Sequence, residues 1–147
     1  MKSIYIDVCA LSRPFDDQSY LRIRLETEAL NLIFLNIKGG KYRLLISSVH
    51  FKEIDAISES YERIELQAIL EILGEPIKAN LIKVRERAEE LLKLNFGIAD
   101  AAHVAFAEHA TAEFITCDDI LIKKCLNHRI AVWSGSPVSF CEKEGLR

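Results

Sequence analysis

Apolar residues along this chain fall into two alternating textures: short unbroken runs, and longer stretches in which they recur every three or four positions. Residues 3–9 (SIYIDVC) form the first run, β-branched and aromatic, which predicts a strand. Residues 17–38 carry Leu21, Leu25, Leu32 and Leu35 at helical spacing and stop at Gly39-Gly40, which predicts a helix with a glycine end. The alternation repeats with a run at 42–48 (YRLLISS), then helical segments at about 50–58 and 61–73, the second stopping at Gly74 ahead of Pro76. A weaker run at 79–84 (ANLIKV) reads as a third strand, followed by helices near 85–94 and 98–110. EFITC at 113–117 is a further strand, 119–127 a helix, IAVW at 130–133 the last strand, and Pro137 opens a final short helix, where its fixed φ suits the first turn.

Runs without polar interruption imply strands buried on both faces, and strands separated by helices imply right-handed parallel crossovers. The expected architecture is a three-layer α/β/α sandwich around a mostly parallel sheet of four to five strands. The 147 residues are close to the usual size of one domain, and with six glycines, three prolines and no low-complexity tract nothing marks an internal linker, so 1–147 reads as a single domain. Neither a membrane-length apolar run nor a secretory signal is evident, which points to a cytoplasmic protein without a membrane role. The net charge of −3 excludes a global positive field for polyanions, so any nucleic acid must be held locally or through metal. Four cysteines, at 9, 117, 125 and 141, form no C-x-x-C pair and read as small apolar side chains.

In parallel α/β sheets the ligand crevice lies beyond the carboxyl ends of the strands. Four acids stand at such places: Asp7 near the end of the first strand, Glu53 one turn into the helix after the second, Asp100 near the start of a helix of small apolar residues, and Asp118 directly after EFITC. A carboxylate among apolar neighbours is costly unless it is paired or binds metal, and no Lys or Arg adjoins these four in sequence except Lys52, which points elsewhere on its helix. Crowded carboxylates repel, and a hard divalent cation, Mg²⁺ or Mn²⁺, relieves the repulsion. Taken singly, each acid has a plainer explanation: Asp7 as a turn former, Asp118 as a helix cap, Asp100 as a first-turn acid, Glu53 as a solvated helix residue. His103, one turn after Asp100, reads as a packed or hydrogen-bonded core residue rather than a ligand, because a hard cation prefers oxygen. Of the basic residues Arg13, Arg22, Arg24, Lys38, Lys41 and Arg43, a few could ring the acidic mouth.

Four segments, IYIDVCAL at 4–11, ISSVHFKEI at 46–54, GIADAAHVAFA at 97–107 and FITCDDIL at 114–121, together with the ending IAVWSGSPVSF at 130–140, resemble in order and spacing the PIN-domain nucleases, a family that includes the toxins of VapBC-type toxin–antitoxin pairs. The likeness spans nearly the whole chain. It implies a divalent-metal-dependent endoribonuclease that hydrolyses RNA phosphodiester bonds, with the catalytic and metal-binding quartet on Asp7, Glu53, Asp100 and Asp118. Asp119 is a rival or helper for the last place, and the Thr116 hydroxyl is an accessory group for water or phosphate. An antitoxin partner and a homodimer are also implied. One departure is visible: the family usually places Thr or Ser and then Asn or Ser after the first Asp, where this chain has Val8 and Cys9. That keeps a non-catalytic PIN-like module binding RNA or protein as the alternative. The phosphatase reading fails because Cys9 stands where a second Asp is wanted, the receiver reading because paired acids before the phosphoacceptor and a Lys after the last strand are missing, and the dinucleotide and P-loop readings because no G-x-G-x-x-G or G-x-x-x-x-G-K occurs.

Overall fold

The computed structural model describes all of residues 1–147. Five parallel strands, β1 (Lys2–Ile6), β2 (Tyr42–Ile46), β3 (Gly74–Pro76), β4 (Glu113–Ile115) and β5 (Ser134–Gly135), form one sheet in the order β3-β2-β1-β4-β5. Eight helices connect them: α1 (Val8–Leu11), α2 (Leu21–Lys38), α3 (Ser48–Asp55), α4 (Ser60–Leu73), α5 (Leu81–Lys93), α6 (Ile98–His109), α7 (Asp119–Asn127) and α8 (Pro137–Glu144), with a 3₁₀ turn at Arg13–Phe15.

Alternation within the strands divides the core in two. Ile4, Ile6, Leu44, Ile46 and Ile115 face one side and pack on Leu30 and Ile33 of α2, Leu66 and Leu70 of α4 and Phe140 of α8. Tyr5, Leu45 and Phe114 face the other and pack on Val84 and Leu91 of α5, the alanines of α6 and Leu121 of α7. This is the three-layer α/β/α sandwich, with the central strands apolar on both faces because both are covered. Ala101, Ala105 and Ala107 have side chains short enough for α6 to lie close on the sheet.

Two expected strands fall differently. Residues 79–84 are not a strand: the Asn80 carboxamide accepts from the Ile82 and Lys83 amides and so starts α5, with Leu81 and Ile82 left exposed. The strand is instead the three-residue β3, at the sheet edge, where Pro76 costs no ladder bond. Gly74 begins it because the chain turns too tightly out of α4 for a side chain; a Cβ there would lie 2.6 Å from the Leu70 carbonyl oxygen. The last strand is Ser134–Gly135 rather than 130–133; pairing with β4 starts only at the Trp133 carbonyl, which accepts from the Phe114 amide at 2.8 Å. No helix is long and apolar enough to cross a membrane.

Candidate acidic site at the carboxyl edge of the sheet

The strand order reverses direction between β1 and β4, and it is beyond this pair that a parallel sheet opens a crevice. β1 ends at Ile6, the Asp7 amide continues the ladder by donating to the Ile115 carbonyl at 3.1 Å, and the chain then turns into α1. Asp7 is the N-cap of that helix, its Oδ1 accepting from the Ala10 amide at 3.1 Å and from the Cys9 thiol at 3.1 Å. The side chain is buried, at 4% relative exposure, and burial raises its pKa above the usual carboxylate range against the opposing pull of Thr116, His103, Cys9 and Ala10.

Thr116, fully buried after β4, connects the first acid to the last. Its hydroxyl lies 3.4 Å from the Cys9 sulfur and accepts from the Asp118 amide at 3.1 Å. Asp118 is the N-cap of α7, its Oδ1 accepting from the amides of Ile120 and Leu121. Asp100 sits in the first turn of α6, where burial, then repulsion from Asp118, raises its pKa, with Glu53 adding to the repulsion. Glu53 projects from α3, and its carboxylate, hydrogen-bonded to His103 Nε2, is held below its usual pKa by that bond. Asp100 therefore feels both Asp118 and Glu53 electrostatically, and Asp7 is connected to Asp118 through Cys9 and Thr116.

The salt bridges of the molecule engage Asp16, Glu26, Asp119, Glu75, Glu90, Glu108, Glu113, Glu144 and, through His103, Glu53; Asp7, Asp100 and Asp118 are in none of them. Asp119 differs from Asp118 in this respect, since its carboxylate is held by both terminal nitrogens of Arg22, at 2.7 and 2.8 Å. Of the basic residues, Arg13 and Arg22 border this rim, in a groove of about 510 Å³ with Tyr20, Cys117, Asp118 and Asp119. Arg13 bonds Glu26 and Asp16, whereas Arg43 pairs with Glu75 at the opposite end of the sheet.

At this rim the donors are carboxylate oxygens with one hydroxyl and one thiol, and none of the four acids is paired with Lys or Arg. That chemistry fits a hard divalent cation. The side chains do not stand at ligand distance, however: no group of three His, Cys, Asp or Glu converges tightly enough to hold a metal ion. Asp7 and Asp118 each commit one oxygen to a helix start. A cavity of about 620 Å³ between α2 and α4 is mostly apolar and contains none of the four acids.

Two residues that the sequence reading assigned to the core touch this site. His103 is buried as expected, yet its ring bonds Glu53 on one side and the Tyr5 hydroxyl on the other. Tyr5 is a phenol in an otherwise aliphatic strand, two residues before Asp7, and His103 lies one turn after Asp100; proximity to the acids in sequence was the available signal. His50, also buried, accepts from the Ser47 amide at Nδ1 and bonds the Ile6 carbonyl at Nε2, so its ring is a neutral Nε2–H tautomer, and burial lowers its pKa to about 3. A free imidazole takes its proton near 6.5, so between that value and about 3 the unfolded chain binds a proton that the native state refuses, and stability falls as pH falls. Asp7 and Asp100, raised in the fold, act in the opposite sense. Urea midpoints at pH 7 and pH 5 are expected to drop for the parent and to drop less for His50→Gln; equal drops would remove His50 as the cause.

Two solved structures share this fold. FitAcB from Neisseria gonorrhoeae is 15% identical, with a TM-score of 0.54 over 91% of this chain and 97% of that one. FitAB bound to the IR36 DNA fragment is 15% identical, with a TM-score of 0.56 over 92% of this chain and 95% of that one. At this identity the likeness concerns the fold, which is PIN-like, as the four motifs led us to expect. No protein-family profile matches the chain, and no curated protein is significantly similar to it.

Proposed function

We propose that this chain is a divalent-metal-dependent endoribonuclease of the PIN type, hydrolysing phosphodiester bonds in single-stranded RNA. The observation that supports it best is the set of four carboxylates, Asp7, Glu53, Asp100 and Asp118, brought from four separate segments to the β1/β4 edge without a lysine or arginine partner. In this reading the four hold Mg²⁺ or Mn²⁺. A bound divalent cation supplies the positive charge that polarises the phosphodiester and makes a water acidic enough to attack in line. Asp7 is fixed by the Ala10 amide and the Cys9 thiol, while Asp118 is fixed by the start of α7. Thr116, between them, presents its hydroxyl for orienting water or phosphate. Arg22 holds Asp119 aside, which leaves Asp118 as the acid that faces the site.

The chain shares its fold with FitAB, a complex that binds a DNA fragment, and the toxin of a toxin–antitoxin pair is the role most in keeping with this. An antitoxin tail covering the acidic mouth, a homodimer and a cytoplasmic setting belong to the same reading. One specific observation favours the alternative of a module that binds RNA or protein without cleaving: no group of three ligands is preassembled, and Val8 and Cys9 stand where hydroxyl or amide side chains are usual.

Incubating the purified chain with fluorogenic single-stranded RNA and matched DNA separates the readings. We expect RNA cleavage with Mn²⁺ or Mg²⁺, none with EDTA and little on DNA. Calorimetric Mn²⁺ binding with no cleavage of either strand would leave the binding module standing and sink the nuclease.

A further inference from the structure

The buried polar groups between α6 and the sheet form a single hydrogen-bonded file. Ser47 Oγ lies 2.7 Å from the Tyr5 hydroxyl, the Tyr5 hydroxyl lies 2.5 Å from His103 Nδ1, and His103 Nε2 meets Glu53 Oε1. Tyr5 is fully buried, its ring against His50, His103 and Phe114, and His103 is 2% exposed, so the file is closed to solvent up to the Glu53 carboxylate.

The direction of the file follows from what each group can do. A carboxylate only accepts, so His103 carries its proton on Nε2. In the neutral ring Nδ1 then only accepts, and the one donor beside it is the Tyr5 O–H. Tyr5 has its lone pairs left for Ser47, whose hydroxyl donates. The polarity therefore runs one way, from Ser47 through Tyr5 and His103 to Glu53.

The file joins three elements, β1, α6 and α3, and it ends on Glu53, which sits inside α3 with its side chain partly exposed. Asp7 and Asp118 are fixed by backbone amides; Glu53, with the longest and freest side chain, has no such anchor except His103. A glutamate with three rotatable bonds loses conformational freedom when it binds a ligand unless another group already holds it.

We propose that Tyr5 and His103 are positioning residues for Glu53: the Tyr5 hydroxyl locks His103 in the Nε2–H tautomer, and the ring holds the Glu53 carboxylate in one orientation at the acidic mouth for a hard divalent cation. This rests on the reading of Glu53 as a cation ligand. It differs from a packing role for His103 because it requires one tautomer and predicts that an amide, which can offer an N–H to Glu53, will substitute for the ring.

Two measurements test it. Long-range ¹H–¹⁵N spectra of the metal-free protein at pH 8 are expected to show His103 with Nε2 protonated and Nδ1 accepting a hydrogen bond, and Tyr5→Phe to lose the hydrogen bond at Nδ1; protonated Nδ1 in the parent overturns the relay. Calorimetric Mn²⁺ titration is expected to show about tenfold weaker binding for His103→Leu and several-fold weaker for Tyr5→Phe, with His103→Gln within about twofold of the parent. Folded His103→Leu binding Mn²⁺ like the parent overturns it, and so does folded His103→Gln as weak as His103→Leu. If His103→Leu does not fold, Tyr5→Phe, which removes one oxygen, carries the same comparison. A parent that binds no Mn²⁺ sinks the cation reading, and the tautomer in the metal-free protein then decides the relay alone.

Discussion

Asp100→Asn is expected to reduce Mn²⁺-dependent RNA cleavage by about a hundredfold or more, because a cation-holding carboxylate contributes several kcal/mol to the transition state and each 1.4 kcal/mol is about tenfold in rate. The fold should survive. Asp100 lies in the first turn of α6, where burial and repulsion from Asp118 raise its pKa, so at neutral pH the charge opposes folding and the amide relieves it. The melting temperature of the variant should equal or slightly exceed that of the parent. Rates on a fluorogenic RNA, with circular dichroism melts of the same preparations, check both halves. Undiminished cleavage would remove Asp100 from the mechanism, and a collapsed fold would make it a structural residue instead.

For stability, the largest loss is expected from Phe114→Ala, at about 3–5 kcal/mol, the usual cost of emptying a buried aromatic site. Phe114 is fully buried on β4, next to the central strand, with its ring 6.0 Å from that of Tyr5. Beyond it the same strand leads to Thr116 and Asp118, so the cavity would loosen the segment that carries the last acid as well as the floor under Tyr5. For a chain of this size, a loss of that order lowers the melting temperature by about 10 °C. Ile120→Ala, on the exposed side of α7, serves as the control and should change stability by no more than about 0.5 kcal/mol. A loss below about 1 kcal/mol for Phe114→Ala in urea unfolding would contradict the close packing of α6 on this face.

The parts of the fold legible in the sequence are those where the local pattern and the final environment agree. β1, β2 and β4 are short apolar runs because both faces of the central strands are covered, and the stop of α2 and the starts and stops of α4, α6 and α7 follow from glycines, an N-capping aspartate and apolar spacing, whereas α2 begins at Leu21 rather than at 17. The edges of the sheet were misread for the converse reason. β3 is three residues with one neighbour, too short to leave a hydrophobic run, and β5 gains its partner from two or three backbone bonds rather than from its side chains. The run ANLIKV looked like a strand because Leu81, Ile82 and Val84 are apolar, though only Val84 is buried; the Asn80 cap was the signal to weigh. The brief α1 and the 3₁₀ turn, seven residues in all, carry no periodicity to detect.

At the site, Cys9 illustrates how a departure in sequence acquires meaning in space. Its thiol donates to Asp7 and lies against Thr116, so a side-chain donor is present where the motif lacked a hydroxyl. Desolvation of the sulfur by its neighbours and the charge of Asp7 push the thiol pKa up to about 12, which leaves it a donor rather than a nucleophile.

By itself, the sequence determined the order of elements, the two-faced apolar strands and which acids stand after them, because hydrophobic periodicity and capping are local properties of the chain. Only the tertiary structure decided which of those acids meet an arginine and which do not, that Asp118 and Asp119 take different roles, and that Tyr5, Ser47 and His103 join Glu53. Each of those outcomes depends on contacts between residues tens of positions apart, and their partners are chosen by the packing of α3 and α6 on the sheet rather than by any spacing along the chain.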